Sequence, residues 1–462
     1  MTNRIRVQLT ALLLAGTTLT GACDSFLSGP GIDENPNVPT SASRDNLFVG
    51  VQSVQFANFE GFIARLTSMW TQQLAGVERQ HFAYGIYDYT EDDISTEWSA
   101  YYAGGGLRDI RLVQETALQA GDSLYGGIAK VLEALVMSQV AAQWGDIPFS
   151  DAGNLAGAAL DTQEQVFNSL QAKLDTAIVW ISRTSASNVG PRGADFVYAG
   201  SRAKWTQAAH SIKARIHLYT AERKGSAAYQ AAYDQATLGI STAVNDLKTA
   251  HGAPSNESNF WHQFQYISRT GDVLAGRYLV DLLKSRAGEN RLEGYFLAWD
   301  GCDVEGADPG VGTGACTSDI NSPDGEERLA PDFRQPWLTY EENELIIAEA
   351  AFRIGKPLAG PDVLGKVNNI RGRHGVAALA DMGPNPLRTI MIEKYIVLFQ
   401  NPEVWSDYKR TCQPDNLTRV AGTTQLPARL LYGFAERNAN PNIPDVSVQK
   451  ANPRNWNDPT GC

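Results

Sequence analysis

Residues 128–140 read IAKVLEALVMSQV, and the spacing of their apolar side chains decides the fold class. Ile128, Val131, Leu132, Leu135, Val136 and Val140 recur at threes and fours. That is the period at which side chains line up on one face of an α-helix. Trp144-Gly145 follows, with Pro148 just beyond. Glycine readily takes the conformation that ends a helix, and proline cannot continue one. A helix with one buried face is expected to stop at Trp144.

The same grammar repeats along the chain. Thr162-Gln163-Glu164-Gln165 has the spacing of a capping box, and Val166, Phe167, Leu170, Leu174, Ala177, Ile178 and Ile181 follow on one face. A third helix is expected from near Ser201, carrying Trp205, Ala209, Ile212, Ile216 and Tyr219, and a fourth from Tyr229 to Leu247. Thr339 and Glu342 repeat the capping box before Leu345, Ile346 and Phe352. Asn385-Pro386 opens a helix with Leu387, Ile390, Met391, Lys394, Tyr395 and Leu398. Proline suits the first helical position because its missing N–H costs nothing there. Long irregular segments separate these helices: residues 85–106, 250–266, 298–336 and 412–462. Loops of that length are usually functional. The fold class is therefore mostly α, helix pairs carrying a loop-rich lobe. No clean 34-residue repeat marks it as a solenoid.

The chain starts differently. Arg4 and Arg6 precede an apolar run from Val7 to Leu19, and Thr20-Gly21-Ala22 leads to Cys23. A basic start, a short apolar middle and a small-residue end describe a secretory signal. The run is shorter than the roughly 20 residues that cross a bilayer. Thr20-Gly21-Ala22-Cys23 is similar to the box ending bacterial lipoprotein signals, where the cysteine becomes the lipid-bearing first residue, although Thr20 stands where Leu is usual. The expected organisation is a signal peptide at 1–22, a lipidated tether at 23–45 and a single domain at 46–462. Acyl chains at Cys23 would hold the protein to a membrane surface.

The net charge is −12, from 39 Lys and Arg against 51 Asp and Glu. An acidic chain without a basic stripe argues against nucleic acid. Hydrophobic content of 43% marks a globular protein. Leaving Cys23 aside, Cys302, Cys316, Cys412 and Cys462 allow three pairings, of which Cys302–Cys316 and Cys412–Cys462 is the most economical. Their spacing does not suit zinc.

Six stretches, in order, resemble the SusD/RagB family of outer-membrane lipoproteins: WGDIPFSDA (144–152), SRAKWTQAAHSIKARIHLYTA (201–221), ENRLEGYF (289–296), LTYEENELIIAEA (338–350), IEKYIVLFQNPEVWSDYKRTC (392–412) and LPARLLYGFAERNANPNIP (426–444). Glu289-Asn290 stand where the family usually has Asp-Pro, and Lys409-Arg410 where it has Arg-Arg. The resemblance implies tetratricopeptide-like helix pairs, a SusD-like α-α superhelix, packed against an irregular lobe. It implies a cell-surface lipoprotein on the outer membrane of a Gram-negative-type bacterium. Such a protein binds oligosaccharides, or in some branches peptides, and delivers them to a SusC-like TonB-dependent barrel. It implies no enzyme activity and no cofactor.

Most of these motifs read as structural. Trp144, Lys204, Trp205, Trp405, Tyr408 and Arg410 have the chemistry of buried packing and ion pairs. Binding is expected on the loops. A sugar ring offers apolar C–H faces rimmed by hydroxyls, which flat aromatics with polar neighbours can hold. Tyr84, Tyr87, Tyr89, Trp98, Tyr101 and Tyr102, among Asp88, Glu91, Asp92, Asp93 and Glu97, form one candidate set. Trp261, His262 and Tyr266, with Asn256 and Asn259, form a second. Trp299 beside the Cys302–Cys316 loop is a third. The acids of that loop, Asp300, Asp303, Glu305 and Asp308, lack EF-hand spacing, and no metal is expected. Gly-x-Ser-x-Gly and His-Glu-x-x-His are absent. A glycoside hydrolase and a helical adaptor for protein partners are the competing readings. The adaptor requires the loop aromatics to pack inward.

Overall fold

The computed structural model describes residues 42–154, 156–320, 328–420, 422–423, 425–459 and 461–462. Cys23, the signal segment and all but the last residues of the tether lie outside them. By compactness the chain divides into Met1–Asn46 and a body, Leu47–Cys462.

The body is built on the helix Ser123–Trp144. The Asp122 carboxylate accepts from the Tyr125 N–H at 3.0 Å, capping its start, and Gly145 ends it at φ 85°. Every residue of this helix except Ser123 and Lys130 is buried. Its length and apolarity would suit a bilayer, but here neighbouring helices cover it. Gly126 and Gly127 make one of those contacts possible: a Cβ on Gly127 would stand 2.8 Å from Ile181 Cγ1. Two glycines inside a helix cost about 1 kcal/mol each relative to alanine, and here they let a second helix lie close.

Packing then runs pairwise along the chain. Leu107–Gln119 and Gln163–Ser182 flank Ser123–Trp144, and Arg202–Lys224 packs on Gln163–Ser182. Ser226–Ala236, Tyr340–Arg353 and Pro386–Val397 follow in turn, with Lys366–Arg373 against the last two. This is the expected architecture of tetratricopeptide-like helix pairs. The caps hold as well. Thr162 and Gln165 form a full capping box. Thr339 accepts from the Glu342 N–H, but the Glu342 side chain turns to Arg215 instead of closing the box. Asn385 caps Pro386–Val397 through the Arg388 N–H.

The fourth helix departs from its expected span. It runs Ser226–Ala236, stops eleven residues short of Leu247, and Leu247 lies in a strand. Asn343 Nδ2 donates to the Ala236 carbonyl at 2.9 Å, and Gly239 sits where a Cβ would meet Ser211 Oγ at 2.3 Å. The chain turns there because another helix packs across its path. Nor are the long segments structureless. Ser95–Tyr102 is helical, His262–Ser268 is a π-helical turn, and Phe434–Ala439 and Val446–Ala451 are short helices. Among the described residues there are four two-stranded antiparallel ladders, including Leu74–Gly76 with Val273–Ala275 and Phe296–Leu297 with Asp319–Ile320, the second of which ties down the 298–336 segment.

Buried ions join the layers. Arg215 grips Glu342 with Nε at 2.8 Å and Nη2 at 2.6 Å. Arg410 Nη2 reaches Glu349 at 2.7 Å and Asp407 at 2.6 Å, and Lys394 pairs with Asp407 at 2.7 Å. Trp144, Trp205, Trp405, Tyr408 and Arg410 are all buried. Lys204 is not: it is half-exposed and donates to the Val244 carbonyl, since its helix turns that position outward. Cys302 is bonded to Cys316 and Cys412 to Cys462.

Candidate functional site

Three loop-lobe segments converge on one face. The first is the helix Arg79–Gly85, which follows the strand Leu74–Gly76. Its His81 meets Phe264 of the π-helical turn edge-on at 4.9 Å. Buried Asp272 takes Arg79 and, at 3.1 Å, His81 Nδ1. Burial, helped by the nearby Arg65 guanidinium, pushes His81 down to about 4 against the pull of Asp272, so the ring is neutral near pH 7. Arg65 lies over the Phe264 ring at 4.1 Å. Burial pushes it down to about 10, so it stays charged.

The second and third segments meet at Asp319. Gln265 Nε2 of the π-helical turn donates to Asp319 Oδ1 at 2.8 Å, and Asp319 pairs with Leu297 in the ladder that precedes Trp299. Burial pushes the Asp319 carboxyl up to about 6, with Gln265 and the Ile320 N–H opposing. The disulfide loop also leans back on the first segment: a Cβ on Gly310, at φ 75°, would stand 3.0 Å from Ile86 Cγ2.

Two aromatic rings emerge from this frame. Trp299 is 45% exposed, yet its Nε1–H donates to the Thr317 carbonyl at 2.7 Å, beside the bonded Cys316. Its rotamer is thereby fixed and its ring left accessible. Tyr266 is 55% exposed and rests on His262, ring centroids 5.1 Å apart. His262 Nδ1–H donates to the Leu329 carbonyl at 2.7 Å, which holds that support in place. Leu297, Ile267 and Val311 add exposed apolar surface, and Arg79, Arg269, Asp300 and Asp303 are exposed on the same segments. Pre-set aromatic faces with charged neighbours can take the apolar face of a ring while its edge bonds to polar groups.

The other candidates scatter. Trp98, 1% exposed, is core: its ring meets Trp144 at 5.4 Å and Tyr432 at 5.2 Å. Tyr101 packs on Trp144 at 5.8 Å, and Trp261 is fully buried. These three offer no platform, because the helices Ser95–Tyr102 and Ser123–Trp144 and the C-terminal segment close over the first two. Tyr84 is half-buried against Phe62 and donates to Asp93 at 2.6 Å. Tyr87, half-buried beside Trp70, holds φ 71°, a left-handed conformation that costs a bulky residue energy. Tyr89 turns to the C-terminal segment, where its hydroxyl accepts from the Leu431 N–H at 3.3 Å. Tyr87 and Tyr89, with Arg429 and Lys450, line a cleft of about 240 Å³. Tyr102 lines a separate cleft with Arg108 and Glu436.

Asn259 is structural: its Oδ1 accepts from the Trp261 N–H at 2.8 Å and so helps start the π-helical turn. Asp308 is engaged by Arg277 at 2.8 Å. Among the described residues no group of three or more His, Cys, Asp or Glu is placed for a metal. Arg65, Phe264, Asp272 and Asp319, which assemble the face, carry no local signal in the sequence. They act through partners far along the chain.

Residues 36–355 match the SusD-like family described as starch-binding and associating with the outer membrane. No curated protein sequence matches the chain. A SusD/RagB family protein from Bacteroides thetaiotaomicron is 19% identical, with a TM-score of 0.74 over 91% of this chain and 100% of its own. A chitin-binding protein is 20% identical, with a TM-score of 0.74 over 90% of this chain and 100% of its own. A chitin-binding SusD homolog from Flavobacterium johnsoniae is 17% identical, with a TM-score of 0.69 over 90% of this chain and 99% of its own. At these identities the likeness is one of fold.

Proposed function

The chain belongs to the SusD-like family, and we propose that it is a cell-surface protein that binds an oligosaccharide and delivers it to a SusC-like TonB-dependent barrel, without catalysis. The exposed Trp299 indole carries this reading: it is held by Thr317 and a disulfide, on a segment joined through Asp319 to the one that carries the exposed Tyr266. Nothing in packing requires a large aromatic to be locked in place while its ring stays in water. Stacking on a ligand does. Tyr84 and Tyr87, half-buried on the adjoining segment, edge the same face in this reading. Lipidation at Cys23 would keep the face at the membrane surface, near the barrel.

The test is a binding screen of the purified protein against neutral and acidic oligosaccharides and against peptides, paired with gentle detergent extraction from the native host. Oligosaccharide binding and a co-extracted barrel are expected. Peptide binding alone would replace the ligand class, and recovery with only soluble proteins would replace the transporter role by that of an adaptor. Cys23→Ser is expected to release the protein from membranes, and its continued retention there would remove the anchor from the proposal.

A further inference from the structure

A groove of about 500 Å³ lies between the helix Arg44–Glu60 and the loop before the π-helical turn. Three phenylalanines line it, Phe56, Phe196 and Phe260, together with His251, Asn256 and Glu257. We infer that this groove is a second binding site, for a neutral polyhydroxylated ring such as a hexose or an N-acetylhexosamine. The inference rests on the reading of the chain as a saccharide binder and adds a site distinct from the Trp299 and Tyr266 face.

The groove is built. Phe196 is 41% exposed, but its backbone is fastened from two sides. Its N–H donates to Gln52 Oε1 at 2.9 Å, and its carbonyl accepts from Arg334 Nη2 at 3.1 Å. The opposite wall is a closed loop: the Gly252 N–H donates to the Glu257 carbonyl at 3.1 Å, and the Glu257 N–H to the Pro254 carbonyl at 2.9 Å. The His251 side chain is only 4% exposed. Its Nε2 is bound by Glu60 Oε1 at 2.7 Å and lies 3.0 Å from Thr249 Oγ1. Glu60 Oε2 in turn accepts from the Phe260 N–H at 3.0 Å, which ties the acid to the groove wall. Nε2 is thus taken up by the carboxylate, and Nδ1 is the ring's remaining polar atom. No protein group bonds to it among the described residues.

The chemistry of the lining selects the ligand. The Glu257 carboxylate accepts, and the Asn256 amide both accepts and donates. No lysine or arginine lies among the described lining residues. Such a set suits hydroxyl donors and repels carboxylates, and the phenyl faces suit ring C–H groups. The volume falls in the range of about 300–1,000 Å³ usual for small-ligand sites.

Saturation-transfer NMR on the purified full-length protein tests this with glucose, N-acetylglucosamine and glucuronate, on the wild type, Trp299→Ala, Phe196→Ala and Asn256→Ala. One neutral sugar or both are expected to give signal that survives Trp299→Ala and falls at least about threefold in Phe196→Ala and Asn256→Ala, with glucuronate far weaker. Both groove substitutions are at exposed positions, and one left unfolded by its change is replaced by the other. No neutral-sugar signal, signal unchanged by both groove substitutions, or equal signal from glucuronate would overturn the second site. Signal lost in Trp299→Ala alone would overturn it too while supporting the first face. The first face is judged separately, by whether Trp299→Ala weakens binding of a longer oligosaccharide, so monosaccharide signal that survives Trp299→Ala supports the groove and does not count against that face.

Discussion

Trp405 and Trp299 begin from the same local chemistry and end with opposite roles. Each lies a few residues before a disulfide-bonded cysteine, and each donates its indole N–H to a backbone carbonyl at 2.7 Å, Pro427 for one and Thr317 for the other. Trp405 is 0% exposed. Trp70 meets it edge-on at 5.2 Å, and the Lys409 ammonium sits 3.7 Å above its ring. Burial pushes Lys409 down to about 7. Trp299 has the same anchor, but its exposed ring is left to solvent. A hydrogen-bonded indole is therefore no guide to burial. What separates the two is the chain that arrives from elsewhere: one sits on a helix that others enclose, the other on a loop that the described residues leave 45% exposed at Trp299.

The difference can be broken experimentally, and the largest effects belong to the enclosed side. Trp405→Ala is expected to cost about 3–5 kcal/mol by leaving a cavity, read as a large drop in melting temperature or loss of soluble protein. Glu349→Gln should cost a similar amount, about 3–5 kcal/mol, because it strips a partner from buried Arg410. Thermal melts that hardly move in either variant would show that these groups are not the core they resemble. Opening the disulfides sharpens the contrast. Loop-closure entropy gives about 4 kcal/mol for the 50-residue separation of Cys412–Cys462 and about 3 kcal/mol for the 14-residue separation of Cys302–Cys316. Cys302→Ser with Cys316→Ser should also weaken ligand binding, while opening Cys412–Cys462 should act on stability alone. Calorimetric binding on the two variants tells them apart.

A smaller effect concerns pH. Burial pushes Glu403 up to about 7, with Arg215 opposing and Asp407 adding to the rise. A carboxyl whose folded value lies above its unfolded one binds more protons when folded. Its contribution is complete below about pH 4.5 and fades as pH climbs through about 7. Asp319 and Asp246, each pushed up to about 6 by burial, act in the same direction. His81 and His217, both pushed down to about 4 by burial, act the other way, losing stability as pH falls below about 6.5. The test is therefore a difference. Between pH 5 and 8 the wild type should lose stability relative to Glu403→Gln as pH rises, by a few degrees in melting temperature. Parallel curves would mean that Glu403 keeps an ordinary affinity for its proton.

The sequence revealed whatever is decided within a few residues. Asp122, Thr162 and Asn385 cap helices because a cap needs only the next turn. Trp144, Trp205 and Arg410 could be read as buried because their helices carry apolar faces. The span Tyr229–Leu247 could not be read, since Asn343, more than a hundred residues on, ends that helix. The candidate face fails to show for the same reason. Trp98 and Trp299 look alike in sequence, but Trp98 is closed off by Tyr432 and Trp144. Tyr266 is held up by a histidine fixed to the Leu329 carbonyl, and Asp319 joins segments that look unrelated in the sequence. The His251–Glu60 pair spans 191 residues and has no local trace.

The most direct measurement is calorimetric titration of the oligosaccharide that a binding screen identifies into the wild type and Trp299→Ala, with melting temperatures taken in parallel. A tenfold or greater loss of affinity, about 1.4 kcal/mol, with a melting temperature within a few degrees of wild type is the expected result. Unchanged affinity would contradict the assignment of the Trp299 face as the binding surface. A collapse in melting temperature would show that Trp299, like Trp405, belongs to the packing.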